Sequence, residues 1–350
     1  MWNINSNLVG WARRLCPRGN IMFLSACLVL AACGRGEEPA APAGPPLRVG
    51  AYYWPGQYWV DIAHRKGWFA EAGLAIEWVD TNADYFGSFD QLADGSLDIV
   101  NMSQFDFLLF NARGKPLVGF LAADYSNGAE ALVARPGIDS VRDLAGKRLA
   151  LAKGTYLEYI WTIIAERHDL DPATVEIVDT PAETAPDALA SGAADAFLTW
   201  EPIVTKALAG SGGVKLFDTS EVPGISWGVF ATRPDLRARR EADLHKFTAV
   251  WQRTTQFMKE RPEEAVAIVA EVNHTSPDEA RGFMAIDRIL DLRDNIVAFS
   301  FAAGFDSLHG SSRRMLDFMQ QRGIVTQRPD IPALFDSHFV QELADGTAEK

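Results

Sequence analysis

The sequence predicts an α/β protein built as two lobes around a cleft. Three observations carry this expectation. Strand-like and helix-like segments alternate from Leu47 onward. The alternation falls into two series separated by a small polar stretch, Ser126-Asn127-Gly128. The composition can fill two cores: 350 residues, 48% apolar, with ten Trp and twenty Phe. Such a chain is too apolar for global disorder, and its length suits about two domains. The net charge of −13, from 33 basic and 46 acidic residues, argues against nucleic acid as a partner, because that association runs on excess Lys and Arg.

The chain begins with what reads as an export address. Arg13, Arg14 and Arg18 precede a charge-free run, Ile21 to Ala32, that is too short to span a bilayer. It closes on Leu30-Ala31-Ala32-Cys33. The expectation is a signal peptide over residues 1–32 and a proline- and alanine-rich linker over 33–46. The small-small-Cys ending resembles the lipobox of bacterial lipoproteins. That resemblance implies a diacylglyceryl group on the Cys33 sulfur, cleavage before it, and acylation (a palmitate-type chain) of the new amine. A plain secretory signal with an incidental cysteine is the alternative. Cys16 and Cys27 would leave with the signal, so the folded body would carry no free thiol. Disulfides, cysteine metal sites and a cysteine nucleophile are then excluded.

In the first series, Leu47 to Ala51 reads as a strand running into a Pro55-Gly56 turn, and Gln57 to Lys66 as a helix stopped by Gly67. Leu74 to Trp78 alternates as a strand does. Ser88 to Asp94 is a short helix ended by Gly95. Asp98 to Met102 and Leu117 to Ala122 read as strands flanking a helix at Phe105 to Ala112. In the second series, Ala129 to Ala134, Arg148 to Ala152, Val175 to Val178, Ala194 to Leu198 and Ser226 to Ala231 read as strands. Helices fall at Tyr156 to His168, Glu183 to Ser191 and Pro202 to Ala209. Four more follow: Glu241 to Lys259, Pro262 to Val272, Pro277 to Leu290 and Ser307 to Arg322. This spacing predicts parallel sheets with helices on both faces. Residues 47–124 with 228–350 are expected to form lobe 1, and 125–227 lobe 2.

In open α/β sheets ligands sit beyond the carboxyl ends of strands, so the strand-to-helix turns hold the candidate site. The first turn offers Trp54 and Tyr58 as aromatic walls, and Gly56 in a tight Pro-Gly turn with a positive φ. The second, Lys153-Gly154-Thr155-Tyr156, offers a small cradle of N–H groups and a hydroxyl; Thr155 with Glu158 also fits a capping box. The third is Trp200-Glu201-Pro202, whose carboxylate either receives a cationic group or complements the following helix end. The fourth, Ser103-Gln104, is polar, with Ser103 equally suited to capping. Ser126 lies in a stretch that reads as a hinge, a ligand-contacting strand or a plain loop.

Other chemistries lack their signatures. There is no P-loop, no dinucleotide fingerprint after a strand and no G-x-S-x-G elbow. The six histidines (His64, His168, His245, His274, His309 and His338) are scattered without metal-ligand spacing. No metal, cofactor or catalytic residue is expected.

The turns nonetheless resemble a known family, the periplasmic substrate-binding proteins of ABC importers for nitrate, taurine and aliphatic sulfonates, with relatives that bind thiamine-pyrimidine precursors. The similarity runs over roughly residues 47–260. It rests on Trp54-Pro55-Gly56, then Arg65-Lys66-Gly67-Trp68-Phe69 and Gly73-Leu74. Leu92-Ala93-Asp94-Gly95 with Asp98-Ile99 and Ser140 to Lys147 follow. Gly154-Thr155, Ala188 to Gly192 with Asp195-Ala196, and Trp200-Glu201-Pro202 complete it. The resemblance implies a type II periplasmic-binding-protein fold whose lobes close on a ligand, with contacts from Trp54, Gly154, Thr155 and Glu201. It implies a monomer that hands a small molecule to a permease and an ATPase, anchored by its lipid alone to the periplasmic face of a bacterial membrane. A ligand sensor or an enzyme on the same fold is the alternative. Enzymatic relatives rely on a cysteine-rich motif that this body lacks. No Arg stands in the named turns, so an amine-bearing or neutral aromatic ligand fits at least as well as a sulfonate or nitrate.

Overall fold

The computed structural model describes residues 44–52 and 54–348; the expected signal peptide and Cys33 lie outside the described residues. Eleven strands make up the sheets among the described residues. β1 (Leu47–Ala51) and β2 (Ile76–Asp80) pair in parallel, and a parallel bridge from Val49 to Ile99 lays β1 beside the entry to β3 (Val100–Ser103). β3 belongs to a four-stranded sheet with β4 (Val118–Ser126), β10 (Trp227–Thr232) and β11 (Asp287–Ile289), in the order β11-β4-β10-β3. A five-stranded sheet holds β5 (Glu130–Ala134), β6 (Arg148–Leu151), β7 (Glu176–Asp179), β8 (Ala196–Trp200) and β9 (Val214–Asp218), in the order β7-β6-β8-β5-β9. The chain leaves the first sheet after Ser126 and rejoins it at Trp227.

The expectation of parallel sheets is corrected: the four-stranded sheet is antiparallel throughout, and the five-stranded sheet is mixed. β10 runs antiparallel to β3 and β4, and β5 antiparallel to β8 and β9. β5 and β10 follow connections that lack a crossover α-helix, whereas β11, also antiparallel to β4, follows the helix Pro277–Met284. Only residues 127–129 separate β4 from β5, and residues 219–226 separate β9 from β10. A strand entered without a crossover comes in from the opposite end and pairs antiparallel. Two strands were missing from the sequence reading, β9 and β11. The segment expected as one helix from Pro277 to Leu290 is a helix over Pro277–Met284 followed by β11.

Local chemistry sets the helix boundaries. Asp84 accepts from Gly87 N at the start of the helix Tyr85–Asp94, which ends at Gly95 with φ +89°. Ser103 accepts from Asp106 N at the start of Gln104–Ala112, and Thr155 accepts from Leu157 N at the start of Tyr156–Arg167. Each supplies an acceptor to an otherwise unsatisfied first-turn N–H.

One structural device occurs twice. In the first series Asp98 accepts from Arg48 N at 3.0 Å and from the Arg48 guanidinium at 3.0 and 3.1 Å, with Arg233 close by at 3.4 Å. In the second, Asp195 accepts from Arg148 N at 3.0 Å and Arg148 Nε at 3.2 Å, with Arg135 Nε at 3.1 Å. Each aspartate follows a glycine-ended helix and ties the strand it precedes, β3 or β8, to the strand that carries the arginine, β1 or β6. Asp98-Ile99 and Asp195-Ala196 in the motif set therefore hold strands together, at the far ends from the cavity described below.

The main core is aromatic. Trp59 has no exposed surface and sits among Phe247 (ring centroids 5.2 Å apart), Phe230 (5.5 Å) and Phe69 (6.2 Å). Helix Tyr58–Arg65, which carries Trp59, is thereby pinned between the first sheet and the long helix Glu241–Glu260.

Candidate functional site

A cavity of about 340 Å³ lies where the two sheets face each other. The first sheet contributes Ser103 from the end of β3, Asp124 and Ser126 from the end of β4, Trp227 and Gly228 from the start of β10, and Asp287 from the start of β11. The second contributes Glu130 from the start of β5 and Trp200 from the end of β8. All are on one edge: carboxyl ends of strands running one way, amino ends of those running the other. Connecting segments add Tyr52 and Trp54 after β1, Asn82, Tyr85 and Phe86 after β2, and Tyr156, Glu183, Glu201 and Phe283.

Six of the eleven expected site residues line this cavity: Trp54, Ser103, Ser126, Tyr156, Trp200 and Glu201. Trp54 donates from Nε1 to Asp124 Oδ2 at 3.1 Å and meets Phe283 edge-on at 6.2 Å. Tyr156 and Trp200 stack with their rings 17° apart and centroids 6.0 Å apart. Ser126 donates to Glu130 Oε2 at 2.5 Å. Ser103 has both roles suggested for it: it caps a helix and lines the cavity, with Oγ donating to Asp106 Oδ2 at 2.6 Å. Glu201 lines the cavity while accepting from Thr205 N at 3.0 Å and Thr205 Oγ1 at 2.8 Å, so the helix-end role is occupied in the empty protein.

The other five stand off it, each for a physical reason. Gly154 N donates to Glu158 Oε2 at 2.7 Å, which uses the donor the cradle needed. Thr155 is spent on its cap and on Ala152 O. Glu158 reaches back to Gly154 rather than to Thr155 as a capping box would, and pairs with Arg322 at 3.1 Å. Gln104 is fully buried, tied to Leu308 O and Ser312 at 2.8 Å and to Ser311 at 2.7 Å. Tyr58 is buried behind the Phe283 ring. Gly56 is in a 3-10 turn, Pro55–Gln57, without a positive φ. It is glycine because a Cβ there would stand 2.5 Å from the Asp124 carboxylate.

The cavity's charge was not legible in the turns. Its lining holds six carboxylates and eight aromatic side chains, and no Lys, Arg or His among the described residues. Burial pushes the Asp106 carboxyl up to about 6, against the Ser103 hydrogen bond. Burial likewise raises Glu130 against the Ser126 and Thr219 hydroxyls. Burial, then the adjacent Asp124 charge, lifts Asp287 well above the carboxylate range, and burial raises Asp124 too.

These shifts set a stability profile. A carboxyl whose folded pKa is raised binds more protons folded than unfolded, so its stabilising effect is full below its unfolded pKa and fades as pH rises through its folded pKa. Asp98 and Asp195 are held low by their arginines despite burial; their contribution is present above an unfolded pKa of about 3.9 and fades as pH falls through their depressed values. The ligand-free protein should therefore melt highest near pH ~5, by a few degrees relative to pH ~8. Calorimetric melts across this range check it; a melting temperature that rises steadily to pH 8 would contradict the buried acids.

Outside the cavity, the fold gathers two histidines that the sequence separates widely. His245 and His338 meet with rings 5.3 Å apart, alongside Glu241 and Glu342. Arg237 also reaches Glu241 at 3.5 Å, and the group joins the helices Glu241–Glu260 and His338–Ala348 by polar side-chain contacts.

An antiparallel and a mixed sheet with helices around them, meeting at a cavity on one shared edge, define the periplasmic-binding-protein fold. Among solved structures, the chain is similar to the periplasmic aliphatic sulphonate binding protein SsuA from Escherichia coli, with TM-score 0.66 and 18% identity over 83% of this chain and 97% of that one. It is also similar to the desulfurization enzyme DSZB, with TM-score 0.63 and 14% identity over 86% and 99%. Among protein sequences it is 20% identical, over 81% of this chain and 84% of the relative, to a Bacillus subtilis protein named for binding aliphatic sulfonates. The family model described as NMT1/THI5 like matches residues 58–265. The chain belongs to the NMT1/THI5-like family.

Proposed function

We propose that this protein is the solute-binding component of an ABC importer. It captures a small organic molecule between two lobes, residues 47–124 with 228–350 and residues 125–227, and closes over it. It then presents the molecule to a permease and its ATPase, acting as a monomer. The observation that carries this reading is the cavity itself, walled by strand ends of both sheets and lined by six carboxylates and eight aromatic rings. A site divided between two sheets that the chain crosses twice can be sealed by a hinge motion. The sulfonate-binding name of the bacillary relative and the SsuA likeness support transport. The DSZB likeness supports catalysis on the same fold. Against catalysis, no cysteine follows Cys33, so the body offers no thiolate nucleophile.

Native mass spectrometry of protein purified from its own host tests the proposal. A bound small molecule that leaves chemically unchanged, with scattering in solution that contracts when it is restored, is the expected result. A bound compound that is turned over would favour the enzyme.

Cys33 is the proposed anchor to the periplasmic face of the membrane. Among the described residues no helix is long and apolar enough to cross one. Cys33→Ser is expected to move the protein from the membrane fraction to the soluble periplasm. If both forms are soluble, the anchor is wrong.

A further inference from the structure

We infer that the solute is an organic cation, an ammonium or amidinium on a flat apolar body, and that the buried Asp124–Asp287 pair is its anchor. This rests on the solute-binding reading above and deepens it.

The first ground is unsatisfied chemistry at the cavity. Asp124 is 2% exposed and Asp287 5% exposed, and both line the cavity. Asp124 Oδ2 accepts from the Trp54 indole. Asp124 Oδ1 and both oxygens of Asp287 accept from no other side chain in the hydrogen-bond geometry, and the two acids bear chiefly on each other and on the Trp54 indole. Two buried acids at a cavity wall with no cationic partner are costly to leave so. Only a group with several N–H donors and a positive charge answers both at once.

The space around the pair is shaped for the carboxylates. A Cβ on Gly228 would come within 1.9 Å of Asp124 Oδ1, and one on Gly56 within 2.5 Å of the same carboxylate. The two glycines clear room for an acid where an apolar side chain would have packed without penalty.

The second ground is the rest of the lining. Trp54, Trp227, Tyr52 and Phe283 belong to the same wall, and aromatic faces attract cations within about 6 Å. Glu130 and Glu201 add acid from the second sheet, and no cationic side chain lines the cavity among the described residues. An anion entering here would meet carboxylates and nothing to neutralise it. The likeness to sulfonate-binding proteins thus extends to the fold, while the charge of this cavity points the other way.

The test uses three probes that share one ring: benzamidinium, neutral benzamide and anionic benzenesulfonate, titrated calorimetrically into the full folded chain at pH 8. Benzamidinium is expected to bind and to raise the melting temperature, with benzamide weaker and benzenesulfonate undetectable. Asp287→Asn should weaken benzamidinium by about ten- to a hundredfold, the loss of a charge-assisted hydrogen bond. The ligand-free Asp287→Asn protein should melt no lower than the wild type at pH 8, because the change removes one of two buried acids that face each other with no cationic partner. Asp124→Asn should weaken the same probe and serves as the second variant. Benzenesulfonate binding more tightly than benzamidinium overturns the cation and leaves solute binding standing. Unchanged benzamidinium affinity in both variants overturns the anchor, as does a melting temperature several degrees lower with affinity retained. Failure of all three probes overturns the cation, while solute binding itself stands or falls on the native mass spectrum.

Discussion

Gly228→Ala is expected to destabilise the protein by about 3 kcal/mol and to abolish solute binding with it. Gly228 sits in β10 between Ser103 of β3 and Asp124 of β4, so the backbone cannot retreat without opening two ladders. The added Cβ would collide with Asp124 Oδ1 at 1.9 Å and crowd Asn101 Oδ1 at 3.3 Å. Overpacking in a rigid environment typically costs about 1–3 kcal/mol, sometimes more, and this position is at the upper end because the atom struck is a buried carboxylate. Denaturant unfolding measures the loss. An alanine variant as stable as the wild type would mean that Asp124 can turn away freely, and the carboxylate wall would lose its rigidity.

Trp59→Ala is expected to cost about 3–5 kcal/mol, the range for emptying a buried aromatic site. The indole has no exposed surface and touches Phe69, Phe230 and Phe247, which come from three different elements. Those rings are held by backbone on several sides and cannot all collapse into the space. For a folded body of this size such a loss lowers the melting temperature by roughly 10 °C. Trp59 lies only a few residues from Trp54 but does not line the cavity. Solute affinity per folded molecule should therefore hold, in contrast to the Asp124 and Asp287 variants. A loss of a degree or two would show that helix Tyr58–Arg65 is anchored elsewhere.

The order of elements was legible because its signals are local. Asp84, Ser103 and Thr155 cap helices where they stand, Gly95 ends one with a positive φ, and most strands carry apolar residues at readable spacing. Two strands were lost. β11 has three residues, too few for a period to emerge, while β9 (Val214–Asp218) is as long as strands that were read and was passed over between the Gly210 to Gly213 stretch and the loop that follows. The carboxyl-end rule located Trp54, Ser103, Ser126, Trp200 and Glu201 at the cavity. It passed over Glu130, Trp227, Gly228 and Asp287, which stand at the amino ends of β5, β10 and β11. Those strands run against the others, and nothing in a strand's own residues records its direction. Gly154 and Thr155 stand off the cavity for a different reason. Their donor and hydroxyl were satisfied within their own turn by Glu158, Leu157 and Ala152.

What this chain owes to its residues taken in order is its α/β class, its caps and turns, and the aromatic character of its strand ends. These follow from propensity, spacing and contacts within one series, which a linear reading can follow. The charge of the cavity came from folding. Asp124 and Asp287 are 163 positions apart in the numbering, and they meet because β11 adds to the sheet beside β4, pairing Asp287 with Ser126 and Ile289 with Asp124. An aspartate in an apolar strand is a puzzle in sequence. Placed beside a second one, with two glycines clearing its space and no Lys, Arg or His lining the cavity among the described residues, it sets the charge of that cavity, because a buried charge is decided by its neighbours in space.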